Sequence, residues 1–450
     1  MHGAGPEPRE PWPGGGRSAT ARASTVVAIA VTGAAWMLHT TFGWRMGALF
    51  GVGTAAGLVL YHAAFGFTSA WRVLIADGRG QGVRAQMLLL ALTCAVFFPL
   101  LAQGQAFGVP LTGLVQPPGV PVAVGAFIFG IGMQLGGGCA SGTLFSVGGG
   151  STRMVVTLAA FIAGSVIATA HSAYWASLPS FPATSLVVWF GPVGALALSL
   201  AVFGAIFVTT VVVERRRFGA LVESPLPSRG ARWLRGPWPL VAGAIGLALV
   251  NLATLLLAGR PWGITSAFAL WGAKLARAVG VPVETWPYWS SPAQLAALDG
   301  SVFGDVTSVM DGAIALELGG TRGASTAAGL IDTAGYLGAL DGSMFGDVTS
   351  VMDGGIVLGA LLASLLAGRF RPVWAMPARS LAAAVAGGLL LGYGARIAYG
   401  CNIGAYFSGI ASGSLHGWLW LPCGFAGNVV GTYLRPAFGL SVERTTLPRC

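Results

Sequence analysis

A chain of 450 residues with 54% hydrophobic and only 9% charged side chains has too little polar surface to cover a water-soluble globule. Its mean hydropathy of +0.73 and its recurring long apolar runs describe a polytopic membrane protein, with the lipid bilayer as its main partner. The formal charge of +10 sits on arginines in tails and loops, not on a basic face interleaved with aromatics, so nucleic acid is not an expected partner. Cys94, Cys139, Cys401, Cys423 and Cys450 show no CxxC or zinc-type spacing, so neither a disulfide framework nor a metal is expected, and no cofactor.

Residues 1–23 are rich in Pro, Gly and Arg and read as a disordered cytoplasmic tail. An extra N-terminal transmembrane helix follows at 24–41, with the character of a retained signal anchor. The first transmembrane repeat, 46–213, carries predicted spans at Met46–Tyr61, Met87–Ala102, Val122–Met133, Met154–Ala170 and Pro192–Val213. Between its first two spans, GFTSAW at Gly66–Trp71 is a small-residue turn expected to start a short helix at depth. A basic linker, 214–236, contains Arg215, Arg216, Arg217, Arg229, Arg232 and Arg235.

The second repeat, 237–434, opens with the span Pro239–Ala258 and reaches GITSAF at Gly263–Phe268, a copy of GFTSAW. An acid-rich loop, 281–353, contains two nearly identical segments, Ala297–Gly312 and Ala339–Gly354, which differ only at Val302/Met344. They lack the spacing and final Glu of an EF-hand and read as a duplication within a loop. Predicted spans at Ile356–Ala367, Leu381–Ala395 and Trp418–Leu434 precede a C-terminal tail, 435–450.

With about ten spans in alternation, the arginines of the tails, of 72–84, of the linker and of 369–379 fall on one side, which the positive-inside rule makes cytoplasmic. Both termini are then cytoplasmic, in an inner (plasma) membrane, and the acidic loop is extracytoplasmic. The expected fold is an all-α polytopic membrane protein of about ten transmembrane helices. These form two inverted repeats with short broken helices in the membrane interior.

The strongest internal signal is GIGMQLGGGCASGTLFS at Gly130–Ser146, echoed without a gap by GYGARIAYGCNIGAYFS at Gly392–Ser408. Gly130/Gly392, Gly132/Gly394, Gly138/Gly400, Cys139/Cys401, Gly142/Gly404, Phe145/Phe407 and Ser146/Ser408 match. In the expected topology the span before Cys139 runs inward and the one before Cys401 outward, so the repeat is inverted. Each copy is a membrane helix interrupted around a thiol.

A cysteine at the head of a short helix lies beside free backbone N–H groups and the positive dipole end, a place that attracts anions. A thiol is a weak donor and a polarizable contact, suited to a sulfur-bearing ion. The competing reading is that a cysteine among glycines merely fills a tight turn; its repetition at symmetric positions favours function. Cys94 and Cys423 lack that support and read as packing residues. All acidic residues fall outside the predicted spans, which disfavours a carboxylate proton relay. Arg396 either draws an anion toward the outer mouth or snorkels to the interface. Thr68, Ser69, Thr265 and Ser266 could donate to a passing oxyanion, although hydroxyls at helix contacts more often join helices.

These residues resemble the YeeE/YedE family of membrane proteins, implicated in uptake of thiosulfate and related sulfur or selenium compounds. The resemblance rests on FGFTSAWR at 65–72, GGGCASG at 136–142 and GYGARIAYGCNIG at 392–404, and covers most of Met46–Leu434. It implies an hourglass-shaped permease with a thiol-lined constriction that passes the ion between cysteines. Here Cys139 and Cys401 are kept, while Gly66 stands where the family commonly has a third. The expected pathway therefore comprises Cys139, Cys401, Gly66, Gly138, Gly142, Gly400, Gly404, Thr68, Ser69, Thr265, Ser266 and Arg396. The alternatives are a membrane thiol or persulfide enzyme, uptake of a selenium compound, and a subunit that docks a cytoplasmic sulfur-carrier protein on the linker.

Overall fold

The structure is a computed structural model and describes residues 17–222, 235–290, 340–370, 372 and 376–442. Helices dominate: α1 (Arg17–Phe42), α2 (Trp44–Ala63), α3 (Phe67–Asp77), α4 (Gln81–Gln103), α5 (Val120–Gly136), α6 (Ala140–Gly148), α7 (Thr152–Ala170) and α8 (Ser172–Ala176). The long α9 (Leu186–Phe218) ends the first half. Then come α10 (Leu240–Ala258), α11 (Thr265–Ala278), α12 (Pro287–Ser290), α13 (Val348–Leu366), α14 (Ala378–Ile397), a π-helix at Asn402–Ser408, α15 (Gly409–Ala411) and α16 (Leu415–Leu434). The described sheet is a two-stranded hairpin, β1 (Gln105–Ala106) with β2 (Val109–Pro110).

Nine segments of the described residues are long and apolar enough to cross a membrane, which makes this an all-α, multi-pass membrane protein. The 20-residue α16, with Pro422 inside it, lies outside that set. Exposed apolar side chains concentrate on peripheral helices, such as Ile29 and Trp36 of α1 and Val193 and Val208 of α9. In water such rows would be a liability; against lipid tails they are the expected surface.

Boundaries differ from the sequence reading at several places: α4 and α9 each begin six residues before the expected spans at Met87 and Pro192, and two further differences bear on the argument. α1 begins at Arg17, inside the stretch read as a disordered tail. α13 begins at Val348 instead of Ile356, because the Asp347 carboxylate caps it, accepting from Ser350 N at 2.7 Å and from Ser350 Oγ at 2.6 Å. The second copy of the duplicated segment is therefore helical in its C-terminal part; the first copy, 297–312, lies outside the described residues, as do Arg229 and Arg232 of the linker.

The two cysteine-bearing spans, α5 and α14, cross each other at glycines. A Cβ at Gly132 would lie 2.8 Å from Leu391 N and 2.9 Å from the Gly387 oxygen. Its repeat partner Gly394 would put one 2.6 Å from the Gly125 oxygen and 2.7 Å from Phe129 N. These contacts are reciprocal: Gly125 and Phe129 occupy in the first copy the places of Gly387 and Leu391 in the second. Residues later in α5 meet residues earlier in α14, so the spans are antiparallel. A reciprocal antiparallel contact is the signature of a local two-fold axis, and it relates the two copies as an inverted pair. The same exchange continues outward, with α7 packed on α14 and α16 on α5.

Candidate functional site

Both halves break their helix in the same way. α5 ends with Gly137 at φ +95°, Cys139 takes an extended conformation (φ −81°, ψ −170°), and α6 begins at Ala140. In the second half Tyr399 (φ +58°) and Gly400 (φ +152°) make the break, Cys401 is again extended (φ −96°, ψ −165°), and the π-helix begins at Asn402. Each cysteine is thus the N-cap of a short helix, and each cysteine carbonyl accepts the first bond of that helix, from Thr143 N and Ala405 N at 2.8 Å each. The glycines permit the fold-back. A Cβ at Gly138 would lie 3.2 Å from Gly142 C and Thr143 N; one at Gly400 would lie 2.7 Å from Ala405 N and 3.2 Å from Gly404 C. At Gly400 the left-handed φ and the 2.7 Å approach to Ala405 N require glycine; at Gly138 the facing backbone would have to give by a few tenths of an ångström, while Gly142 and Gly404 have room for a Cβ.

Both sulfurs are buried, and each cysteine lies within electrostatic reach of the other. Cys139 Sγ meets Ser141 Oγ at 3.3 Å. The second turn and the α3 helix packed on it hold polar atoms that have no hydrogen-bond partner among the described residues: both amide atoms of fully buried Asn402, which follows Cys401, Tyr406 Oη, and Thr68 Oγ1 on α3. A buried amide or hydroxyl without a partner costs about 1–3 kcal/mol, so a ligand presenting oxygens would relieve a cost the resting protein carries.

The GFTSAW helix of the first half seals the cysteine turn of the second. Phe67 and Trp71 pack edge-on against Tyr406, with ring centroids 6.1 and 5.7 Å apart, and Tyr406 stacks on Trp420 of α16. Trp71 Nε1 donates to Gln86 of α4 at 2.8 Å. Gln134, on the last turn of α5, donates to the Thr68 carbonyl at 3.2 Å and to Asn428 Oδ1 at 2.6 Å, tying α3, α5 and α16 together.

The remaining sequence-predicted residues fall in three places. Gly66 caps α3 and lines a cavity of about 190 Å³ with Ser69 and Arg79, where Ser69 Oγ donates to the Gly66 carbonyl at 3.2 Å. Thr265 and Ser266 open α11 on the other side, Ser266 Oγ donating to Thr349 Oγ1 of α13 at 3.2 Å, a helix-joining contact. Arg396 is buried, donates to Tyr288 Oη at 2.8 Å and lies over that ring at 5.4 Å, so its guanidinium is engaged by the α12 segment. Cys94 packs against the second turn, its Sγ 3.7 Å from the Ile410 oxygen.

Asn402 and Tyr406 were missed by the sequence reading, although both sit inside the repeated motif; at those positions the first copy has Ala140 and Leu144, so symmetry did not mark them. A further miss corrects an expectation. Asp353, assigned to the loop, lies inside the candidate span α13, fully buried, with no hydrogen-bond partner on either carboxylate oxygen among the described residues. The premise that no acid lies within a span therefore fails, and with it the argument against a carboxylate relay.

Inverted, interrupted spans that cross at glycines and each end at a buried thiol are an architecture of membrane transporters. The chain belongs to the Sulphur transport family, whose profile matches residues 62–430. It is similar to the thiosulfate transporter TsuA of Spirochaeta thermophila, 26% identical over 381 residues that cover 82% of this chain and 92% of that one. It is also similar to the probable transporters YedE of Salmonella typhimurium (26% identical) and Escherichia coli (25%), each over 213 residues. Those two matches span 47% of this chain and 42% of the YedE proteins, less than half their length.

Proposed function

We propose that this protein is a permease that imports thiosulfate, or a closely related soft sulfur anion, along a narrow path past Cys401 and then Cys139. The observation that carries this reading is the pairing of two buried thiols in matched N-cap geometry, related by a local two-fold axis, with orphaned donors beside one of them. The positive ends of two short helices favour an anion at both stations. The sulfur atoms offer weak, polarizable contacts, and weak successive contacts let an ion both enter and leave. The relative that covers most of the chain is named for thiosulfate, which supports the substrate class. Against the enzyme alternative, Cys139 Sγ meets a serine hydroxyl and not a histidine or carboxylate that would activate it. Arginine placement supports an inner-membrane orientation with both termini cytoplasmic, and the basic linker is where a sulfur-carrier protein would dock.

The test is uptake of labelled thiosulfate by the full chain in proteoliposomes, with the ion recovered chemically unchanged. Cys139→Ala and Cys401→Ala should each abolish most uptake at equal membrane levels. Wild-type uptake by both variants would refute the thiol path.

A further inference from the structure

Asp353 is a buried carboxyl group that neither helix capping nor the thiol path explains. The capping of α13 is done by Asp347, six residues earlier. Asp353 sits in the second turn, fully buried, with no hydrogen bond to either oxygen from the described residues. A charged group at such a place is expensive, and an ionisable residue inside a span marks function by default. Its position points inward: Thr349, one turn earlier on the same face, meets Ser266 of the GITSAF helix, and the neighbouring Met352 receives Thr254 Oγ1 of α10 at 3.9 Å. Cys401 lies within its electrostatic reach.

We propose that Asp353 is the proton site of the transporter, taking up a proton when the anion occupies the thiol station and releasing it when the anion leaves, so that anion and proton travel together. The proposal rests on the sulfur-anion reading of the site. The physical reason is mutual exclusion. An ionised Asp353 and an anion at Cys401 are like charges in a medium of low dielectric, where each ångström of closeness is costly. Binding of the anion therefore favours the protonated carboxyl, COO⁻ plus H⁺ giving COOH, with no bond to the anion and no oxidation. A cell whose interior is negative opposes import of a dianion by about 2.3 kcal/mol per charge per 100 mV. Each accompanying proton removes one of those charges.

The groups around Asp353 leave this role to it. Cys401 of the second cysteine turn and Asp347 of its own helix cap lie within its electrostatic reach. On α11, Lys274 donates to the carbonyls of Leu340 and Gly342, and Arg277 pairs with Asp341. On the other packed helices, α1 carries Arg17, Arg22 and His39, α2 carries Arg45, Tyr61 and His62, and α6 has Cys139 at its head; Thr54 of α2 bonds its own helix at Phe50. A proton needs only one carboxyl oxygen. A metal cation needs a cage of ligands, and the described residues contain no cluster of three His, Cys, Asp or Glu.

The experiment uses the full chain in proteoliposomes with the membrane potential clamped to zero, and compares two assays. One is exchange of labelled thiosulfate at equal concentration on both sides; the other is accumulation driven by an inside-alkaline pH gradient. The wild type should do both. Asp353→Asn, a neutral mimic of the protonated form, should keep exchange and lose the gradient-driven accumulation, whereas Asp353→Glu should regain part of it. Independently of any variant, adding thiosulfate to weakly buffered wild-type protein should draw protons from the medium. Gradient-driven accumulation by Asp353→Asn at the wild-type level overturns the proposal, as does a wild type that exchanges thiosulfate but ignores the gradient. Absence of exchange by the wild type overturns the thiosulfate reading instead, and the same two assays with sulfite and selenite then decide the role of Asp353.

Discussion

The two cysteine turns share one backbone design but not one environment. After Cys139 the chain enters a regular α-helix, and the thiol has Ser141 as a neighbour. After Cys401 it enters a π-helix whose first residue, Asn402, is fully buried with both amide atoms unpartnered among the described residues, as is the hydroxyl of Tyr406 in the same helix. A π-helix is a rare form frequently found at functional sites, and here it coincides with the orphaned polar atoms. The backbone break is thus what the repeat conserves, and the polar furniture is what distinguishes one station from the other. On this account Cys401 is the station that selects the ion, and Cys139 the one that passes it on.

The largest expected effects come from breaking both stations. Cys401→Ala should lower thiosulfate uptake by about tenfold or more, equivalent to about 1.4 kcal/mol at the limiting step, and Cys139→Ala should do likewise. The difference lies in discrimination: Cys401→Ala should blur the choice between thiosulfate and sulfate in competition assays, and Cys139→Ala should not. Next come the glycines. Gly400→Ala meets both a 2.7 Å backbone contact and a positive φ, so it should cost about 2–3 kcal/mol of stability. Gly138→Ala, with 3.2 Å contacts, should cost about 1 kcal/mol. Thermal inactivation in detergent orders the pair, and equal losses would deny the greater strain of the second turn.

Asn402→Ala removes the orphaned amide without touching the thiol. It should weaken the apparent thiosulfate affinity several-fold while leaving protein stability unchanged or slightly raised, since an uncompensated buried polar group is lost. The smallest effect belongs to the duplicated segment. Deleting 297–338 retains the second copy, which supplies Asp347, the cap of α13, and Ser343, the cap of the 3-10 turn Met344–Gly346 just before it, so membrane level and uptake should stay near wild type.

The cysteine turns were legible in the sequence because a break inside an apolar run has to be made by glycine, and glycine at a fixed distance from cysteine is rare enough to be seen twice. The inverted relation was legible from arginine placement, since Lys and Arg gather in the loops on one side of the membrane. The crossing of α5 and α14 was not, because Gly125, Gly132, Gly387 and Gly394 look like ordinary small residues until their partners are known. Asp353 was lost for a different reason. The acid-rich duplication drew the boundary of the span toward Ile356, although Asp347 three residues before Ser350 is a helix-start signal that composition outweighed.

The central claim, that one ion meets both thiols, is tested most directly by protection. In a chain with Cys94, Cys423 and Cys450 replaced by alanine, a small membrane-permeant thiol reagent is applied and the modification of Cys139 and Cys401 is followed separately by peptide mass analysis. The account predicts that saturating thiosulfate slows modification of both cysteines at the same concentration, while sulfate slows neither to that extent. Protection of only one thiol, or of neither, in protein that still transports would contradict it.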